Sequence, residues 1–317
     1  MAWTPARLST PLADGGAAVG PVAIEFRDDR VRMLQLKTGC AEAVHAAACV
    51  AWNPERPADC ADALLAALVS GGFRVGRCVL GLPFALVRAE TMTVPEGDDA
   101  RILADLSRRA RWRHGIGDPE LGILRLGHCG AGRIDVALVV ADREAIEAIV
   151  DPLIDRGVLP DAAEPSFVSV ARASSLRRRR ASDRGSVCVA IDLHAEGAVA
   201  MLVAGDRIVH CATAEEREDL PSAVAVCIHD GAPHAGGPPS DVRIVGAVAP
   251  EAALVAAIEE ACGLPVRSDD EVGTWTRIRA KVGVRGEGAG EAAAWAGVFG
   301  LAHRRLNAEA SGHRRAA

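Results

Sequence analysis

A chain of 317 residues, half of them hydrophobic and a quarter charged, has material for one large core or two smaller ones, which excludes a disordered protein and makes two lobes the expectation. The formal net charge of -6 excludes any overall attraction for nucleic acid or anionic lipid. Nine scattered cysteines, odd in number and without a C-x-x-C pair, argue against a disulfide framework or a metal site and for reduced thiols in a cytoplasm.

Residues 1–20 lack an apolar signal region and read as a flexible tail. No apolar run reaches the ~18 residues of a membrane span. Val22 to Phe26 and Val31 to Leu36 form a β-hairpin around the charged turn Arg27-Asp28-Asp29-Arg30. Cys60 to Ser70 has helical apolar spacing and stops at Gly71-Gly72. Arg77 to Pro83 is a buried strand, and LVRAETMTVP is a second strand, each ended by proline. Asp98 to Arg113 is an amphipathic helix with acids first and arginines last. Gly122 to Gly127 and Arg133 to Ala141 form another hairpin, and Arg143 to Arg156 a helix closed by Gly157. After it, VLPDAAEPSFVSVARASSL reads as a short strand followed by a helix.

The basic stretch LRRRRASDRG, residues 176–185, is the expected linker, after which the pattern restarts with SVCVAIDL and AVAMLVAGDRIVHCATA. A hairpin opening on a buried acid thus occurs twice, with Glu25 and then Asp192, as in an internal duplication. Leu220 to His229 reads as a short helix, DGAPHAGGPPSD as a loop, and Val242 to Val248 as a strand. Glu251 to Cys262 is a helix, Leu264 to Val266 a strand, and Glu291 to Leu306 a closing helix. Strands alternating with helices imply an α/β architecture. The glycine-rich GVRGEGAGE lacks the Lys-Ser/Thr of a phosphate loop, the histidines show no metal-ligand spacing, and no nucleophile-base-acid arrangement stands out.

Taken in order, VAIEFRDDRVRMLQLK, VLGLP, MTVP, VALVVADREAIEAIVDPLIDRGVLP, SFVSVARA, VAIDLHAEGAVAMLV, IVGAVAP, EAALVAAIEEACGLPV and AAAWAGVFGLA resemble the type IV pilus assembly PilM family of the actin-like ATPase superfamily. The resemblance spans Pro21 to Arg305. It implies a duplicated ribonuclease H-like, actin-like fold: a first lobe at 21–175 with a small α+β subdomain inserted at about 84–141, and a reduced second lobe at 186–306 before a tail at 307–317. Nucleotide-binding members hold ATP and magnesium between the lobes on two hairpins of the Asp-Ile-Gly type and a glycine cluster. Here Glu25 stands for the first Asp, Arg27 for the glycine, and Asp28-Asp29 for small hydroxyls, so bulk and like charge face a triphosphate. The second hairpin keeps Asp192 but has Leu193-His194 and Gly197-Ala198, and the glycine cluster shrinks to Gly246-Ala247.

The resemblance with eroded loops implies a non-hydrolysing scaffold, a pseudo-ATPase without cofactor, peripheral at the cytoplasmic face of an inner membrane. Its partner would be the N-terminal tail of a PilN-like membrane protein, alongside other pilus or secretion assembly proteins, with no nucleic acid and membrane contact only through the partner. The tail's groove is expected near Leu82, Val87, Val94 and Ile102. The competing expectation is an active ATPase holding Mg-ATP with Glu25, Asp28, Asp192 and Gly246. Glu25 and Asp192 by themselves read either as magnesium ligands or as residual acids at a hairpin base.

Overall fold

The computed structural model describes residues 19–304 apart from 39–42, 54, 57–58, 76–77, 115–117, 177–185, 247–249 and 269–292. The run of four arginines, Ala247, the stretch GVRGEGAGE and the expected carboxy-terminal tail are outside the described residues. Strand β1 (Val22–Arg27) turns into β2 (Arg30–Leu36), which pairs with β3 (Val44–Ala51). The short turn requires a left-handed residue, and Asp28 takes it at φ 49. Helix α1 (Cys60–Ser70) crosses over to β4 (Cys78–Leu82), which lies parallel to β1. With β8 (Pro160–Pro165) these make a five-stranded sheet of order β3-β2-β1-β4-β8.

The second half repeats the plan with β9 (Val187–Leu193), β10 (Ala198–Ala204), β11 (Arg207–Ala214), α5 (Leu220–Ala235), β12 (Pro239–Gly246), α6 (Ala252–Cys262) and β13 (Val266–Ser268). Its order, β11-β10-β9-β12-β13, matches the first sheet strand for strand. Three antiparallel strands and two parallel ones, built twice, are the internal duplication that the repeated hairpin implied, in the ribonuclease H-like arrangement that the resemblance implied. Between β4 and β8 the chain inserts β5 (Val87–Pro95), α2 (Asp99–His114), β6 (Pro119–Gly130) and β7 (Arg133–Asp142), then α3 (Arg143–Ile154). The inserted sheet has order β5-β7-β6, and α2 packs on it through Ile102 and Leu106.

Between the two large sheets lie α4 (Ser166–Leu176) and the closing helix, α7 (Ala296–Ala302). Every residue of α7 is buried, as befits the all-apolar AGVFGLA. Trp295, on the 3-10 turn before it, is fully buried in the core shared by both halves. Two glycines let α7 come this close. A Cβ on Gly297 would lie 1.8 Å from Glu25 Oε1, and one on Gly300 would lie 1.8 Å from the Ser169 carbonyl oxygen.

Several elements depart from the sequence expectations. β3 is an added strand. The helix expected to stop at His229 runs on to Ala235, through Gly231 and Pro233, so DGAPHA is helix and not loop. Gly231 is needed there because a Cβ would meet Leu202 and His210 side chains at 2.7 Å. The last strand is shifted to Val266–Ser268, and the closing helix is shorter than expected. Among the described residues no helix is long and apolar enough to cross a membrane.

Candidate functional site

The two equivalent hairpins meet tip to tip. Glu25 and Arg27 alternate along β1 and so share one face of it. Asp192 holds the corresponding place on β9. All three side chains are buried. The Arg27 guanidinium sits between the acids: Nη2 donates to Asp192 Oδ1 at 2.6 Å and to Glu25 Oε1 at 3.2 Å, while Nε donates to Glu25 Oε1 at 3.3 Å. Nη1 reaches the Leu193 carbonyl at 3.5 Å. The turn adds a further link, since the Ala195 N–H donates to Asp28 Oδ1 at 3.2 Å.

Around this pair the packing is specific. Asp192 Oδ2 accepts from Ser166 Oγ at 2.9 Å and lies 3.0 Å from His194 Nε2. The His194 ring stacks on Phe84, 5.0 Å between centroids and 18° between planes, and its carbonyl accepts from Arg217. Arg32, also buried, is the cross-strand neighbour of Glu25.

The charges settle unevenly. Burial pushes the Glu25 carboxyl up, against the pull of Arg27 and Arg32. Burial also opposes charge on Asp192, but Arg27 and His194 overcome it and hold that carboxyl well below the usual range. Burial likewise works against a charged Arg27, yet Asp192 and Glu25 bind its proton more firmly than water would. The shorter bond to Asp192 agrees with this: Arg27 and Asp192 form the tight ion pair, and Glu25 leans on it, its Oε2 buried without a hydrogen-bond partner.

An organic cation therefore occupies the point where two strand-borne acids face each other. A hydrated magnesium ion held by both acids would need that same space. Sequence reasoning placed Arg27 as steric bulk and missed it as the partner of both acids. Gly246 has a structural reason of its own, because a Cβ there would lie 2.2 Å from the Leu193 carbonyl oxygen. Gly197 is similarly tight, 2.4 Å from the Ala214 carbonyl.

The four residues expected around a partner groove fall into two separate cores. Leu82 and Val87 are buried in the core shared by the lobes, whereas Val94 and Ile102 belong to the small core under α2. Leu82, Phe84 and Val87 do border a cavity of about 10 Å³ with Pro165, Ser166, Val199 and Thr213, room for roughly one water.

No protein-family model matches the chain, and no curated protein is similar enough to match it. Solved structures do match. A chain of the PilM-PilN type IV pilus biogenesis complex superposes with a TM-score of 0.65 at 17% identity, over 91% of this chain and 98% of that one. The cytoplasmic domain of EpsL, an inner membrane component of the type II secretion system of Vibrio cholerae, gives 0.48 at 12% identity over 84% and 96%. The ethanolamine utilization protein EutJ from Carboxydothermus hydrogenoformans gives 0.46 at 8% identity over 93% and 90%. The first of these likenesses carries the fold, which is the actin-like one in its PilM-like form.

Proposed function

We propose that this chain is a PilM-like scaffold of a type IV pilus or related secretion assembly, acting at the cytoplasmic face of an inner membrane without turning over nucleotide. The observation that carries the non-hydrolytic reading is Arg27, buried between Glu25 and Asp192 and joining the two hairpins that would otherwise grip a phosphate. Releasing both acids for magnesium would strand a buried guanidinium, which costs several kcal/mol. The competing reading, Mg-ATP held by Glu25, Asp28, Asp192 and Gly246, requires that release.

The partner side of the proposal takes its support from the likeness to a chain of a complex named for PilM and PilN. We infer that the ligand is the N-terminal cytoplasmic tail of a PilN-like membrane protein. It would dock as an extended peptide along the seam where the chain leaves β4 for the inserted sheet, over exposed Ala85 and Arg88 beside the buried Leu82 and Val87. Calorimetric titration with Mg-ATP and fluorescence anisotropy with a labelled PilN-type N-terminal peptide test the two halves separately. Saturable peptide binding, weakened at least ten-fold by a blocking Ala85→Arg on the exposed seam, together with no heat from Mg-ATP, is the expected result. Micromolar Mg-ATP binding would overturn the first half, and peptide affinity unchanged by Ala85→Arg the second.

A further inference from the structure

The inserted sheet and the second lobe meet at a second cluster of side chains that the hairpin site does not use. Cys129, near the end of β6, Asp135, on β7, and His234, in the last turn of α5, bring one ligand atom each to within 4.8 Å of one another. Cys129 and Asp135 belong to one hairpin, whereas His234 is about a hundred residues further on, so ligand spacing alone does not reveal the set. His234 Nε2 is 2.8 Å from Asp135 Oδ2, and Thr93 Oγ1 donates to Asp135 Oδ1 at 2.6 Å. The histidine ring rests against the β6 backbone, since a Cβ on Gly127 would touch it at 3.5 Å.

We propose that Cys129, Asp135 and His234 form a zinc-class metal site that staples the inserted sheet to helix α5 of the second lobe. In a tetrahedral zinc site with bonds of about 2.0–2.3 Å, ligand atoms stand roughly 3.3–3.8 Å apart, so the present spacing needs only small adjustments. The donor set is a thiolate, an imidazole and a carboxylate, which favours zinc over the all-oxygen cations. Binding is balanced in charge. The Cys129 thiol loses its proton to solvent, Asp135 is an anion, and neutral His234 gives its Nε2 lone pair after the ring proton moves to Nδ1. The two negative ligands then neutralise the dication. Thr93 fixes the carboxylate from behind, as outer-shell donors do in such sites, and exposed Cys129 leaves the fourth position to water. This reading is independent of nucleotide or peptide binding, and it reverses the sequence expectation of no metal.

The test is titration of chelator-stripped full-length protein with Co(II), followed by displacement with Zn(II). One equivalent should give the intense visible bands of tetrahedral cobalt and a thiolate-to-cobalt charge-transfer band that zinc abolishes. Cys129→Ser should remove the charge-transfer band, His234→Gln should weaken binding at least ten-fold, and Cys262→Ser should change neither. Thr93→Val, which leaves all three ligands in place, should weaken binding several-fold, and circular dichroism checks the fold of each variant. Absence of the cobalt bands in wild type, or a charge-transfer band that survives Cys129→Ser, overturns the proposal.

Discussion

Arg27→Met keeps an unbranched apolar stem and removes the charge together with its hydrogen bonds to both acids. Glu25 and Asp192, both 0% exposed, are then left without their common cation. Breaking a buried ion pair from one side costs about 3–5 kcal/mol. A ceiling follows from protonation, because an uncompensated Asp192 can take up a proton instead: from an ordinary pKa of about 3.9 to pH 7, that costs roughly 4 kcal/mol. Glu25 adds less, since burial already pushes its carboxyl up and Arg32 stays beside it. A loss of about 3–4 kcal/mol at pH 7 is expected.

The pH dependence carries a sign that a simple packing defect would not reproduce. In the wild type, the depressed Asp192 carboxyl contributes stability that is complete above its unfolded value and lost as pH falls through its folded one. Without Arg27, burial raises the folded value, so the variant is most stable when the carboxyl is protonated and loses stability as pH rises from about 4. Urea unfolding of both proteins at pH 5 and pH 7 should show the gap narrowing by about 1.4 kcal/mol per pH unit towards acid. Arg27→Met with Asp192→Asn should recover most of the loss at pH 7. A single variant within about 1 kcal/mol of wild type at pH 7, or with the same pH profile, would refute the reasoning.

Gly297→Ala puts a methyl group into the Glu25 carboxylate and Gly300→Ala puts one into the Ser169 carbonyl, so each should lower stability by more than the usual ~1–3 kcal/mol of overpacking, measured by thermal unfolding. Gly237→Ala, with nothing within 4 Å, should leave the melting temperature unchanged. Among the described cysteines, exposed Cys129 should react first with a thiol reagent in the metal-free protein, identified by mass spectrometry of the labelled peptides. Cys78, whose thiol burial pushes up to about 12, and buried Cys227 should label only on unfolding.

The repeated hairpin was legible because β-branched runs on either side of a charged turn carry their own local signal, and its recurrence at Asp192 announced the second sheet. β3 was not, because VHAAACVA is alanine-rich and has neither strong alternation nor branched residues in its middle. The end of α5 was misplaced for a different reason. Gly231 and Pro233 normally break helices, and here close packing against β10 and β11 makes the glycine necessary and outweighs the local cost. Arg27 was visible on the same face as Glu25, but its tightest partner lies 165 residues away. The clue was two acids at equivalent places in the duplication with a cation two residues from one of them. The cysteine, aspartate and histidine cluster was only half visible, because Cys129 and Asp135 share a hairpin but His234 joins them only where the inserted sheet docks on α5.

The burial of α7 also bears on how the chain emerges from a ribosome. Ala296 leaves about 130 residues after the last strand of the first sheet, which at roughly 5–20 residues per second is a delay on the order of ten seconds. Through that interval the apolar face that α7 later covers, with Trp295 and Phe299, has no partner of its own. A chain truncated before Ala293 would keep every strand of the first sheet and still present this bare surface to chaperones. Completion of the amino-terminal half is thus governed by a segment translated well after it.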